Sequence, residues 1–157
     1  MKALNKKLII AVAVVLVLLF TLFQCSFKSE PEKVWHLRSK VVGLAISLIG
    51  FPYKYGGKDI QGFDCSGFVS YVYGCYGLSI PRTAKKQAKI KPRVAPRHAR
   101  PGDLVVFKLR SGWHTGILVG RDIFVHSPSR GGRVRKESLN EFWTSRLKRV
   151  VQVIQDS

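Results

Sequence analysis

The spacing of apolar residues changes once along this chain, from helical steps to short extended runs, and that change limits the fold more than any other feature. Val34, Leu37, Val41, Leu44 and Leu48 recur at three- and four-residue steps, which predicts an amphipathic helix over 34–49 ended by Gly50 and Pro52. A loop containing Gly56, Gly57 and Gly62 comes next. Asp64 has the right chemistry for an N-cap, so Cys65 should open a second helix that carries the apolar run from Phe68 to Tyr76 and stops at Gly77. A short helix around 83–90 is expected after Pro81. Beyond it the runs 104–108, 115–119, 123–126, 134–135 and 150–154 are brief, rich in β-branched or aromatic residues, and separated by Gly, Pro and Asp, as strands are. Phe142-Trp143 should lie on a short helix between the last two. Helices first and strands later predict an α+β fold, with the N-terminal helices packed on an antiparallel sheet of about five strands.

The N-terminus reads as an address. Lys2, Lys6 and Lys7 precede a run, Leu8 to Phe23, that is apolar except for Thr21. At about 1.5 Å per residue this run spans roughly 24 Å, short of the roughly 30 Å bilayer core. Snorkelling lysines would make up the difference. Residues 1–27 are therefore expected to be a membrane anchor or signal segment, with the rest of the chain carried out of the cytoplasm. Leu22-Phe23-Gln24-Cys25 resembles a lipoprotein signal, but Gln24 and the bulky Phe23 fit it poorly, so an uncleaved anchor is preferred to lipidation at Cys25. Residues 28–33 read as a polar linker and 34–157 as one globular domain.

The chain has 27 Lys and Arg against 9 Asp and Glu, a net charge of +18. Such a surface attracts anionic cell-envelope polymers or phospholipid headgroups. The basic residues between Lys85 and Arg100 lack interleaved aromatics, and there is no helix-turn-helix or RNA-binding pattern, which argues against nucleic acid. The three cysteines form no CxxC pair and no zinc spacing. A helix joining Cys65 to Cys75 would hold them about 15 Å apart, too far for a disulfide. A thiol is thus left free.

Cys65 is the candidate nucleophile, because a helix N-terminus and a nearby imidazole both favour the thiolate. Cys75, among Tyr73, Tyr76 and Leu78, is expected to be a core residue. His114 opens one strand and His126 ends the next. A hairpin through Gly120-Arg121-Asp122 would bring both imidazoles to one end of the sheet, with His114 as general base and His126 orienting it. His36 and His98 have no such partners. Asp103 is expected to be a turn residue at a strand start. No metal or organic cofactor is needed for this chemistry.

These residues also carry a resemblance. Gly62-Phe63-Asp64-Cys65-Ser66-Gly67-Phe68-Val69, Pro81-Arg82-Thr83-Ala84, Pro101-Gly102-Asp103-Leu104-Val105-Val106-Phe107, His114-Thr115-Gly116-Ile117 and Val125-His126-Ser127 resemble the NlpC-type bacterial cell-wall peptidases, above all their Spr-like, membrane-anchored members. The resemblance implies a reduced papain-like fold and cleavage of peptidoglycan stem peptides or cross-links. Residue by residue, it makes Cys65 the nucleophile, His114 the base and His126 the third polar residue. It sets Tyr53 beside the active site, and Asp64 and Ser66 where some members contact the substrate's amino end. Thr115 departs from the aliphatic residue common at its position. The alternatives are a catalytically silent, cationic wall-binding module on the same fold, or a related amidase or acyltransferase.

Overall fold

The computed structural model describes residues 6–129 and 132–155, and only the backbone at 6–7 and 20–31. The chain divides into an N-terminal unit ending at Trp35 and a larger unit, His36–Gln155. Helix α1 (Lys6–Ser47) makes up the described part of the first and continues into the second. Residues 28–33, expected to be a polar linker, are helical in backbone. Four of those six, Lys28, Glu30, Glu32 and Lys33, are straight-chain helix formers. The apolar side chains from Leu8 to Leu19 are exposed along α1. Among the described residues no helix is long and apolar enough to cross a membrane. The side chain of Cys25 lies outside the described residues, and with it the lipidation reading.

In the larger unit the end of α1 and the turn after it bury Arg38, Val41, Ala45 and Leu48, so that only Val41 and Leu48 of the expected apolar stripe are buried, while Leu37, Leu44 and, just before the unit, Val34 are half-buried. A small hairpin, β1 (Lys58–Asp59) with β2 (Gly62–Phe63), leads into α2 (Cys65–Gly74), and α3 (Ala84–Gln87) comes after it, capped by Thr83. Then come β3 (Arg93–Val94), β4 (Leu104–Leu109), β5 (Gly112–Leu118), β6 (Ile123–His126), β7 (Arg135–Ser138), α4 (Glu141–Thr144) and β8 (Leu147–Val151). Strands β3 to β8 form one antiparallel sheet in the order β3-β8-β4-β5-β6-β7. The architecture is the expected α+β one, with the sheet one strand wider. Two-residue strands such as β3 carry no alternation that a sequence pattern can display.

The centre of the sheet, β4 to β6, is buried on both faces. Side chains alternate along β4, so Val105 and Phe107 join Leu118, Phe124, Trp143 and Val150 in one core cluster under α4. Helix α2 packs against β5 and buries Phe68, Val69, Val72 and Tyr73. Its last residues project past that contact, which leaves Cys75 exposed at the C-cap, not in the core as its aromatic neighbours suggested.

A buried ion pair ties the larger unit together. Arg38 donates to Asp103 at 2.8 Å, to the Pro101 carbonyl at 3.0 Å and to the Ile154 carbonyl at 2.7 Å. Asp103 also accepts the Arg100 amide. It does stand at a strand start, as expected, but its main work is to hold α1, β4 and the C-terminal segment to one another. Burial pushes its carboxyl upward, against the pull of the Arg100 amide and of Arg38.

Candidate active site

The start of α2 is built around one tight crossing. Asp64 caps the helix, its Oδ1 accepting the Gly67 amide at 2.7 Å. The Gly57 carbonyl accepts the Asp64 amide and lies where a Cβ on Gly67 would be, 1.9 Å away. Only glycine at 67 lets the 54–63 loop pass so close, which explains the Asp-Cys-Ser-Gly order. Cys65 is thereby set in the first turn, half-buried, with the free N–H groups of that turn around its sulfur.

Arg82 closes this corner, a role that the sequence reading of Pro81-Arg82-Thr83-Ala84 did not assign. Its guanidinium grips both Asp64 oxygens, at 2.9 and 2.8 Å, and also reaches Ser66 Oγ and the Gly57 carbonyl, each at 3.1 Å. Burial alone would raise the Asp64 carboxyl, but Arg82 and the Gly67 amide outweigh it and hold Asp64 below the usual carboxylate range. Ser66 is buried, and its hydroxyl donates back to Asp64. Asp64 and Ser66 are thus engaged with each other and with Arg82, more than presented to a ligand. Tyr53 stands half-exposed beside them. Burial raises its phenol, and the nearby Cys65 and Asp64 raise it further.

The histidines meet as the hairpin geometry predicts. Ladder pairing of β5 with β6 places Ile117 opposite Val125 and Leu118 opposite Phe124, so His126 falls level with Gly116 and diagonal to His114. A Cβ on Gly116 would lie 2.8 Å from the Val125 carbonyl and 3.1 Å from the His126 Cβ. Its absence lets the His126 ring lean across to His114, whose Nε2 lies 2.7 Å from His126 Nδ1. The amide after His114, that of Thr115, donates toward the Cys65 sulfur. The cysteine, one histidine and the other are in this way brought to one end of the sheet. The Thr115 side chain is buried, its hydroxyl satisfied by the Val105 carbonyl at 3.1 Å.

Trp143 and Glu137 complete the surroundings, and the sequence reading named neither as part of the site. The indole stacks on the His114 ring, at 5.7 Å and 28°, and meets the His126 ring edge-on. Its Nε1 donates to Glu137 Oε2 at 2.6 Å, and Arg135 Nε donates to Oε1 of the same carboxylate. Glu137 Oε1 lies 3.4 Å from His126 Nε2, within ion-pair reach but long for a hydrogen bond. Nothing in the local sequence marks Glu137, because apart from Arg135 its partners lie on β6 and α4.

Electrostatics correct one expectation. Burial pushes the Cys65 thiol up, Asp64 adds to this, and the opposing N–H groups do not reverse it. Burial pushes His114 down to about 3, with His126 adding to the effect and Glu137 opposing it. His126 is likewise lowered by burial against the pull of Glu137. These directions favour a neutral thiol beside neutral imidazoles over a standing thiolate. The helix terminus was expected to dominate, but desolvation of a mostly covered sulfur is the larger effect. Among the described residues no cluster of His, Cys, Asp and Glu is suited to hold a metal ion.

The NlpC/P60 family model matches residues 50–152. The chain belongs to the NlpC/P60 family. The match takes in the Cys65 corner, both histidines and Trp143. A probable endopeptidase of Haemophilus influenzae is 30% identical over 146 residues, covering 84% of this chain and 91% of its own. Murein DD-endopeptidase MepS/Murein LD-carboxypeptidase of Escherichia coli K12 is 31% identical over 123 residues, 77% of this chain and 65% of its own. The solved structure of the peptidoglycan hydrolase RipB from Mycobacterium tuberculosis superposes with a TM-score of 0.70 at 25% identity, covering 79% of this chain and 68% of that one. The reduced papain-like architecture is thus the family's own.

Proposed function

We propose that this NlpC/P60 protein is a peptidoglycan endopeptidase, with Cys65 as nucleophile, His114 as general base and His126 as the group that orients it. The observation that carries the reading is the joining of His114 Nε2 to His126 Nδ1 at 2.7 Å beside a cysteine in the first turn of a helix. The names of the Escherichia and Mycobacterium relatives support the substrate class, and that of the Haemophilus relative supports endopeptidase activity.

With Nε2 of His114 engaged, its Nδ1 is the nitrogen left to serve the thiol. As Cys65 approaches an amide carbon of a stem peptide, His114 takes the thiol proton. Neutral Cys–His and thiolate–imidazolium hold the same number of protons, so the resting neutral pair supplies the reactive state by transfer within the pair. The developing oxyanion is met by N–H groups at the α2 N-terminus. The imidazolium then protonates the leaving amine, and His114 activates the water that releases the acyl group. Arg82 holds Asp64 and thus the helix start in place.

The surplus of cationic residues suits docking on anionic envelope polymers or phospholipid headgroups, and the apolar run Leu8–Phe23 suits a membrane tether with the catalytic unit outside the cytoplasm. Purified muropeptides incubated with the full chain, and read by mass spectrometry, test the activity and name the bond cut. Cleavage that survives Cys65→Ala removes the nucleophile, and no cleavage by the wild type favours a silent wall-binding module.

A further inference from the structure

We propose that Glu137 is a positioning residue that sets the tautomer of both histidines and so decides whether His114 presents a lone pair to Cys65. The inference rests on the reading of His114 as base, and begins from an oddity of His126. Its Nε2 is buried and makes no hydrogen bond of ordinary geometry among the described residues, yet it has a carboxylate oxygen 3.4 Å away.

That carboxylate is held charged. Burial would raise Glu137, but the Trp143 indole N–H, the Arg135 guanidinium and the facing His126 together lower it. An ionised carboxylate at Nε2 favours a proton there and repels a lone pair. A neutral imidazole carries one N–H, so with the proton on Nε2 the Nδ1 of His126 is an acceptor. The 2.7 Å contact then requires His114 Nε2 to be the donor, and His114 Nδ1 becomes the basic nitrogen. The opposite assignment would aim the His126 lone pair at the carboxylate. It would also force the His114 proton onto Nδ1, where no thiol proton can be accepted. One charge on β7 thus propagates through two rings to the nitrogen left to serve the cysteine. Trp143 has a double part, since it fixes the carboxylate through Nε1 and stacks on the ring whose tautomer the carboxylate sets.

The test is ¹⁵N–¹H spectroscopy of the imidazole rings in the full chain, alongside steady-state kinetics on muropeptides. In the wild type both His114 and His126 should be Nε2–H tautomers. Glu137→Gln should bring Nδ1–H forms into both rings and lower kcat by about 10- to 100-fold with KM little changed, the range of lost orienting partners. Glu137→Asp keeps the charge and should restore the Nε2–H pattern. A wild-type His126 protonated at Nδ1 overturns the proposal outright, as do Glu137→Gln rings that stay Nε2–H or an undiminished kcat. The ring spectra are independent of turnover. A wild type that shows both Nε2–H tautomers but cuts no muropeptide therefore sinks the enzyme reading and leaves the tautomer assignment standing.

Discussion

Two buried polar clusters share this fold and are built to opposite ends. At Arg38–Asp103 a charge pair is enclosed by two backbone carbonyls and an amide from two separate segments, and of the guanidinium nitrogens only Nε lacks a hydrogen bond among the described residues. At His114–His126 the groups are neutral, one ring nitrogen is left without an ordinary bond, and the other end of the chain of contacts opens on a half-buried thiol. The first cluster spends charge on holding elements in register. The second keeps protons movable, which needs groups near their neutral forms and a path to the surface. A buried polar network is thus not of one kind, and what separates these two is whether their protons are fixed or free to move.

The sharpest way to break this contrast is to exchange the expected losses. His114→Gln should cost activity by about 10³-fold, within the range of a lost acid–base group, while the denaturant midpoint moves little. Arg38→Met leaves Asp103 buried without its partner and should cost about 3–5 kcal/mol of stability. At temperatures where Arg38→Met stays folded, its kcat on muropeptides should match the wild type. Comparable stability losses in both variants, or a large kcat loss in Arg38→Met, would erase the distinction.

Gly116→Ala probes the open cluster without touching either ring. The added Cβ would lie 2.8 Å from the Val125 carbonyl and 3.1 Å from the His126 Cβ, so β6 and its histidine must shift. A misplacement of this order should cost about 10²-fold in kcat/KM. Unchanged turnover would mean that the diagonal contact between the rings is dispensable.

The sequence displayed the second cluster better than the first. Asp64, Cys65 and His126 stand at element ends, where periodicity stops and polar residues become conspicuous, and the hairpin turn between the histidines is short, although β5 begins at Gly112, two residues before the His114 expected to open it. Arg38 sits on an amphipathic helix where a long charged side chain looks solvated, and its partners are 63 or more positions away. Arg82 was visible in its motif, but its grip on Asp64 depends on a loop path that spacing does not reveal. Glu137 and Trp143 were hidden for the same reason, since β7 and α4 reach the histidines only through tertiary packing. In the sequence a helix end and a nearby imidazole both point to a thiolate at Cys65. Its covering by the surrounding chain, which sets the direction of its pKa, has no signature in the local residues.

Acid should separate the clusters next. In an unfolded chain a histidine takes up its proton near pH 6.5, whereas folded His114 does so near 3. Between those values the unfolded state binds more protons, so stability is full above pH 6.5 and is lost as pH falls toward 3. His126 is shifted the same way. Thermal midpoints measured from pH 7 to pH 4 should therefore fall for the wild type and fall less for His126→Asn. Equal slopes in the two proteins would mean that the acid sensitivity arises elsewhere.

The smallest effect lies outside both clusters, on the surface that gives the chain its net charge of +18. Binding of the Cys65→Ala protein to purified cell walls should weaken as salt is raised from about 0.05 to 0.5 M, because exposed charges are screened over shorter distances. Turnover on small muropeptides, which carry few charges and need only the cleft, should change far less over the same range. That difference would place attraction to the wall on the exposed lysines and arginines and chemistry on the neutral, covered groups. Wall binding indifferent to salt would instead assign adhesion to the cleft itself.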